Sequence, residues 1–122
     1  MLPGVELSNQ DGIAIATIPP EIDLSNVREV RARIFDHASS SWALVIDLSR
    51  STYLDSKGIH LLMELDQFSR QSQQPVRLVV VREQPVARLL DIAGVPIRRH
   101  ESVELAVEDV LRDRPAFPEG PA

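Results

Sequence analysis

The sequence predicts an α/β domain built on a mostly parallel sheet. Three observations point that way. Trp42-Ala43-Leu44-Val45-Ile46-Asp47-Leu48 is a continuous β-prone run, the mark of a central buried strand. From Val27 onward, segments with helical spacing alternate with strand-like runs, and strands joined through helices run parallel. A chain of 122 residues holds one core and not comfortably two.

The elements follow in order. Val5 and Leu7 alternate with polar neighbours, Asn9-Gln10-Asp11-Gly12 supplies a turn, and Ile13 to Ile18 makes a second strand. Two short strands around Asp-Gly read as a hairpin, which Pro19-Pro20 ends. A helix begins near Asn26, a residue able to cap, with Glu29 three positions on as in a capping box. Its apolar face is Val27, Val30, Ile34 and Phe35, and it stops in the small polar residues His37 to Ser41.

After the central strand, Ser49 to Asp55 is a Ser- and Thr-rich connection. A second helix starts near Ser56, with Leu61, Leu62, Leu65 and Phe68 on one side, and Arg70 to Pro75 breaks it. Val76 to Val81 is a further strand. Gln84-Pro85 opens a helix carrying Val86, Leu89, Leu90 and Ala93, closed by Gly94. Ile97 marks a short edge strand. Ser102 caps a final helix with Val103, Ala106, Val107, Val110 and Leu111 on its apolar face. Residues 1–114 therefore form a single domain, and the proline-rich stretch 115–122 is expected to be a disordered tail.

Composition excludes several function classes. The net charge of −5 argues against a nucleic-acid binder or a protein docked on an anionic membrane. The absence of cysteine removes disulfides and thiolate metal sites, and the three histidines lack metal-ligand spacing, so no metal or cofactor is expected. Met1-Leu2-Pro3-Gly4 lacks signal-peptide character, and the longest apolar run falls far short of the roughly 20 residues that span a bilayer. The expected location is the cytoplasm.

The stretch that carries chemistry is Tyr53-Leu54-Asp55-Ser56-Lys57-Gly58-Ile59. It follows the most buried strand at its carboxyl end, where open α/β sheets place their sites. Ser56 at the helix start puts its hydroxyl near unpaired backbone N–H groups and the positive end of the dipole, and Gly58 gives access to the backbone. On spacing alone, Asp55 and Ser56 serve equally as caps and Gly58 as a close-packing residue, which is the commoner role of such residues.

Four motifs in order, Pro20-Glu21-Ile22-Asp23, Val45-Ile46-Asp47-Leu48, Leu54-Asp55-Ser56-Lys57-Gly58-Ile59 and Pro85 to Gly94, resemble the layout of STAS domains. More narrowly, residues 5 to 112 resemble bacterial anti-sigma factor antagonists. The resemblance implies a STAS fold: a mixed, mostly parallel sheet of four to five strands, with about four helices packed mainly on one side. It implies that Ser56 is phosphorylated by an anti-sigma factor with serine kinase activity, that Asp23 lies close to it, and that a serine phosphatase reverses the modification. Unmodified antagonist binds the anti-sigma factor and frees the sigma factor; the phosphorylated form lets go. The sequence departs from the family pattern at Lys57, where a small residue is usual, and at Pro20, where glycine is usual.

The phosphosite environment is then Asp23, Asp55, Lys57 and Gly58, and the partner surface Leu24, Ser25, Leu54, Ile59 and His60. The protein is expected to act as a monomer or weak dimer and not as an enzyme. A hydrolase with Ser56 as nucleophile, His60 as base and Asp55 beside them is disfavoured, because no G-x-S-x-G elbow is present and nothing orients His60. The competing binding role is a STAS scaffold or accessory subunit of another signalling or transporter complex, in which Ser56 is never modified.

Overall fold

The computed structural model describes residues 4–114. The chain opens with the expected hairpin: β1 (Glu6–Gln10) pairs antiparallel with β2 (Ile13–Thr17). Asp11 (φ 55°) and Gly12 (φ 80°) both take positive φ, the backbone of a tight two-residue turn whose twist matches the strands. The turn is pinned by Trp42, whose Nε1 donates to the Asp11 carbonyl at 2.9 Å. A Cβ on Gly12 would lie 2.8 Å from the indole, so that position takes glycine for space as well as for φ.

The remaining elements are β3 (Glu21–Ile22), α1 (Val27–Ala38), β4 (Ala43–Asp47), β5 (Tyr53–Leu54), α2 (Ser56–Ser72), β6 (Val76–Val79), α3 (Pro85–Ala93), β7 (Arg99–His100) and α4 (Val103–Arg112). Five strands form one sheet in the order β1-β2-β4-β6-β7, parallel throughout except at the hairpin. This is the mixed, mostly parallel sheet that the sequence predicts. Three helices cover one face, where Ala14, Ala16, Leu44, Ile46 and Leu78 meet Ile34 of α1, Leu62 and Leu65 of α2, and Leu90 of α3. On the other face, Ile13, Ile15, Ala43, Val45 and Val79 meet Ala106, Val107 and Val110 of α4. With both faces covered, all five residues of β4 are buried, which is why its sequence runs apolar without alternation.

Several local expectations are corrected. Asn26 sits at the N-cap of α1 but forms no capping box. Its side chain turns back instead, accepting from the Asp23 N–H at 3.0 Å and donating to the Glu21 carbonyl at 2.8 Å. The edge strand lies at Arg99–His100, two residues beyond Ile97, whose side chain is buried in the core. The Arg98 and His100 carbonyls accept from Leu78 and Val80 N–H groups at 2.9 Å, whereas the neighbouring Pro96 has no N–H to offer a sheet. Helix α2 runs on to Ser72 before Gln73 (φ 59°) ends it in the left-handed region. The expected tail at 115–122 lies outside the described residues. Gly94 (φ 68°) closes α3, and Ser102 caps α4 by accepting from the Leu105 N–H.

The α4 face also carries a buried ionic cluster that its apolar stripe does not announce. Asp109 accepts from Arg77 Nε at 2.6 Å and from Arg98 Nη1 at 2.9 Å, and sits 2.9 Å from His100 Nε2. Arg77, buried on β6, also reaches Asp113. Burial alone would raise the Asp109 carboxyl; hydrogen bonds from Arg77, Arg98 and His100 outweigh it and hold the group well below the usual carboxylate range. No described helix is long and apolar enough to cross a membrane.

Candidate functional site

The site is assembled by a strand pair too short to read from sequence. β3 and β5 run parallel, with Glu21 opposite Tyr53 and Ile22 opposite Leu54. Around them, the Pro20 carbonyl accepts from the Thr52 N–H at 2.7 Å, and the Ile22 carbonyl from the Asp55 N–H at 3.3 Å. The two segments therefore leave the pair at the same end, on neighbouring tracks about 4.8 Å apart. Asp23 follows one and Asp55-Ser56 the other, so the pairing brings the Pro20–Asp23 motif to the head of α2.

Asp55 is the N-cap of α2, in extended backbone. Its Oδ1 accepts from the Lys57 N–H at 2.8 Å and the Gly58 N–H at 3.2 Å. This corrects one expectation: the Lys57 and Gly58 donors at the helix start are already held by a carboxylate and do not stand open for a phosphate. Ser56 is the first helical residue; it is exposed, and its hydroxyl has no hydrogen-bond partner among the described residues. Gly58 is buried, and a Cβ there would come within 3.3 Å of Leu54 and 3.4 Å of Ile22 Cβ. Its role is close approach of α2 to the β3–β5 pair rather than access for a ligand, and that approach fixes where Ser56 stands.

On the other track, Asp23 accepts from both the backbone N–H (2.8 Å) and the hydroxyl of Ser25. These bonds hold its carboxyl below the usual range, so it is charged at neutral pH. The Asp23 carbonyl accepts in turn from the Asn26 and Val27 N–H groups. The loop is thus folded on itself, and Leu24 is left 73% exposed at its tip.

Of the surface residues expected, Leu24, Ser25 and His60 are exposed and Ile59 is half-buried against the core. Leu54 is corrected. At 3% exposure it belongs to the core, because alternation along β5 turns Leu54 inward and Tyr53 outward. Tyr53, 49% exposed, was missed for the same reason, since a two-residue strand shows no period to read. Among the described residues no group of three or more His, Asp or Glu is placed to hold a metal ion.

The family model described as the STAS domain matches residues 5–106. No curated relative matches the sequence significantly. Among solved structures, the chain is similar to a Thermotoga maritima protein assigned as an anti-sigma factor antagonist, at 18% identity and a TM-score of 0.78, covering 88% of this chain and 95% of that one. An anti-sigma factor antagonist from Mycobacterium paratuberculosis gives 21% identity and a TM-score of 0.75, over 88% and 92% of the two chains. The phosphorylated form of the Bacillus cell fate determinant SpoIIAA gives 17% and 0.64, over 88% and 99%. At such identities the likeness is one of fold.

Proposed function

The chain belongs to the STAS domain family, and on that premise we propose that it is an anti-sigma factor antagonist switched off by phosphorylation at Ser56. It binds a kinase-type anti-sigma factor and so frees a sigma factor, acting in the cytoplasm by association and not by catalysis. In the off-switch, the Ser56 hydroxyl oxygen takes the γ-phosphoryl group of ATP. An Oγ–P bond forms, the bond to the bridging oxygen breaks and ADP leaves, while the hydroxyl proton passes to a base of the kinase. A serine phosphatase restores the hydroxyl.

The observation that carries this reading is the state of Ser56: exposed, unbonded among the described residues, and fixed at the head of α2 next to the cap carboxylate. A phosphoserine brings a charge of about −1.5 to −2 at neutral pH. Here it arrives beside Asp55, with Asp23 on the adjacent track. Nothing in the core is disturbed, so the fold persists while the docking face becomes locally more acidic. Against a snug partner surface, the desolvation of a new anion weakens binding strongly. Asp55 faces the helix backbone, which leaves it committed to capping rather than to orienting His60 as a triad would need.

Incubation with a kinase-type anti-sigma factor and ATP, followed by phosphosite mapping, tests the proposal. Modification at Ser56, abolished in Ser56→Ala, is the expected result. A complex that forms while Ser56 is never modified would instead favour a STAS scaffold or accessory subunit.

A further inference from the structure

A shallow groove runs between α1 and α2. Its first part is lined by Val27 and Arg28 from α1 and by Lys57, His60 and Leu61 from α2, with Arg31 and Glu64 across its far end. The floor is apolar, since Leu61 is buried and Val27 half-buried, while the rim side chains Arg28, Lys57 and His60 are exposed. Glu64 is committed elsewhere: Arg31 Nε donates to both of its oxygens at 2.9 and 3.0 Å. That hydrogen bonding, helped by the nearby charges of Arg31 and His60, keeps Glu64 ionised. The side chains of Arg28 and Lys57 meet no carboxylate among the described residues. On a protein of net charge −5, Arg28 and Lys57 set two cations on the rim of an apolar notch.

Ser56 does not line it but directly precedes the lining residue Lys57. His60 lies four residues on, one turn above Ser56 on the same side of α2, and Lys57 is the next residue toward the groove. The Asp55 carboxylate caps the same helix end. A phosphate on Ser56 therefore has an anion beside it as well as the cation of Lys57.

We propose that the Ser56 phosphate is captured in cis by Lys57, His60 and Arg28 at the mouth of this groove, and that the same three side chains receive a carboxylate of the anti-sigma factor when Ser56 is unmodified. The inference rests on Ser56 being the phosphorylated residue. Phosphorylation then acts twice: it adds an anion to the docking face and withdraws the side chains that the partner uses.

The test installs phosphoserine at position 56 during translation, so it needs no kinase, and follows the phosphate by 31P NMR across pH. In the wild-type background the second ionisation should occur about half a unit lower than in R28Q/K57Q/H60Q at low salt, with the gap closing near 1 M salt. Equal midpoints in the two backgrounds overturn cis capture while leaving the Ser56 switch intact. Failure of the switch itself is read separately, as absence of Ser56 modification by the kinase. For the docking half, unmodified R28Q/K57Q/H60Q should bind the kinase about tenfold more weakly than wild type. Unchanged affinity overturns it. All three substitutions lie on exposed side chains, and an unchanged melting temperature confirms that folding is preserved.

Discussion

Two polar clusters sit at different depths in this protein, and they are built to opposite ends. Under α4, Asp109 is buried and bonded to Arg77, Arg98 and His100, reaching across 32, 11 and 9 residues of sequence. Around Ser56, the bonds are short in sequence and mostly to backbone: Asp55 to Lys57 and Gly58, Asp23 to Ser25. The first cluster ties a helix to the sheet, and losing Asp109 strips the buried Arg77 of one of its two carboxylates. The second holds loops in shape while leaving a hydroxyl free, so its charge can change with little effect on the fold. Separation of the two keeps the exposed Ser56 hydroxyl apart from the buried ionic cluster in so small a domain.

That contrast can be broken or sharpened by substitution. Asp109→Ala should have the largest effect on stability, a loss of about 2–3 kcal/mol and a fall in melting temperature of about 10 °C or more. Phosphorylation at Ser56 should be unaffected below that melting point. The pH dependence has a definite sign. Because the folded-state carboxyl of Asp109 lies below its unfolded value, its stabilisation is fully present above the ordinary carboxylate pKa and fades as pH falls through the folded value. Thermal melts of wild type and Asp109→Asn should therefore converge as the pH drops below about 4. A constant difference down to pH 2 would place the stabilisation elsewhere.

Gly58→Val comes next, because it touches both function and packing. The added side chain must push α2 away from Leu54 and Ile22, at about 1–3 kcal/mol. Denaturant unfolding should show that loss, and the rate of Ser56 phosphorylation should fall with it. Asp55→Ala removes a cap and should cost about 1 kcal/mol. It also frees the Lys57 and Gly58 N–H groups, so phosphoserine at 56 should recover part of the loss. Ser56→Asp, at the exposed position, should change stability by less than about 0.5 kcal/mol. A drop of several kcal/mol there would erase the distinction between the two clusters.

Much of this was legible in the sequence where the signals are local. Asp11-Gly12 gave the hairpin, Gly94 and Ser102 gave helix ends, and the unbroken run at Leu44–Ile46 gave the buried central strand. The position of Ser56 was legible for the same reason, as an Asp-Ser pair where a helical period begins. What escaped depends on long-range pairing. Two-residue strands β3 and β5 carry no period, so Leu54 was sorted outward and Tyr53 overlooked. A lone Asp109 on an amphipathic helix reads as a solvent residue until Arg77 is placed beneath it. Asn26 had the right chemistry for a cap, but the Glu21 carbonyl and the Asp23 N–H competed for its side chain and won. The Arg28–Lys57–His60 notch likewise needed α1 laid beside α2 before its side chains could be seen together.

The central claim is that charge at one exposed hydroxyl governs docking without touching the fold. It is tested most directly by calorimetric titration of a kinase-type anti-sigma factor with unmodified protein and with protein carrying phosphoserine at Ser56, alongside thermal melts of both. The account predicts at least a tenfold weaker complex for the phosphorylated form, with melting temperatures within about 2 °C of each other. Equal affinities, or weaker binding accompanied by a collapse in melting temperature, would contradict it.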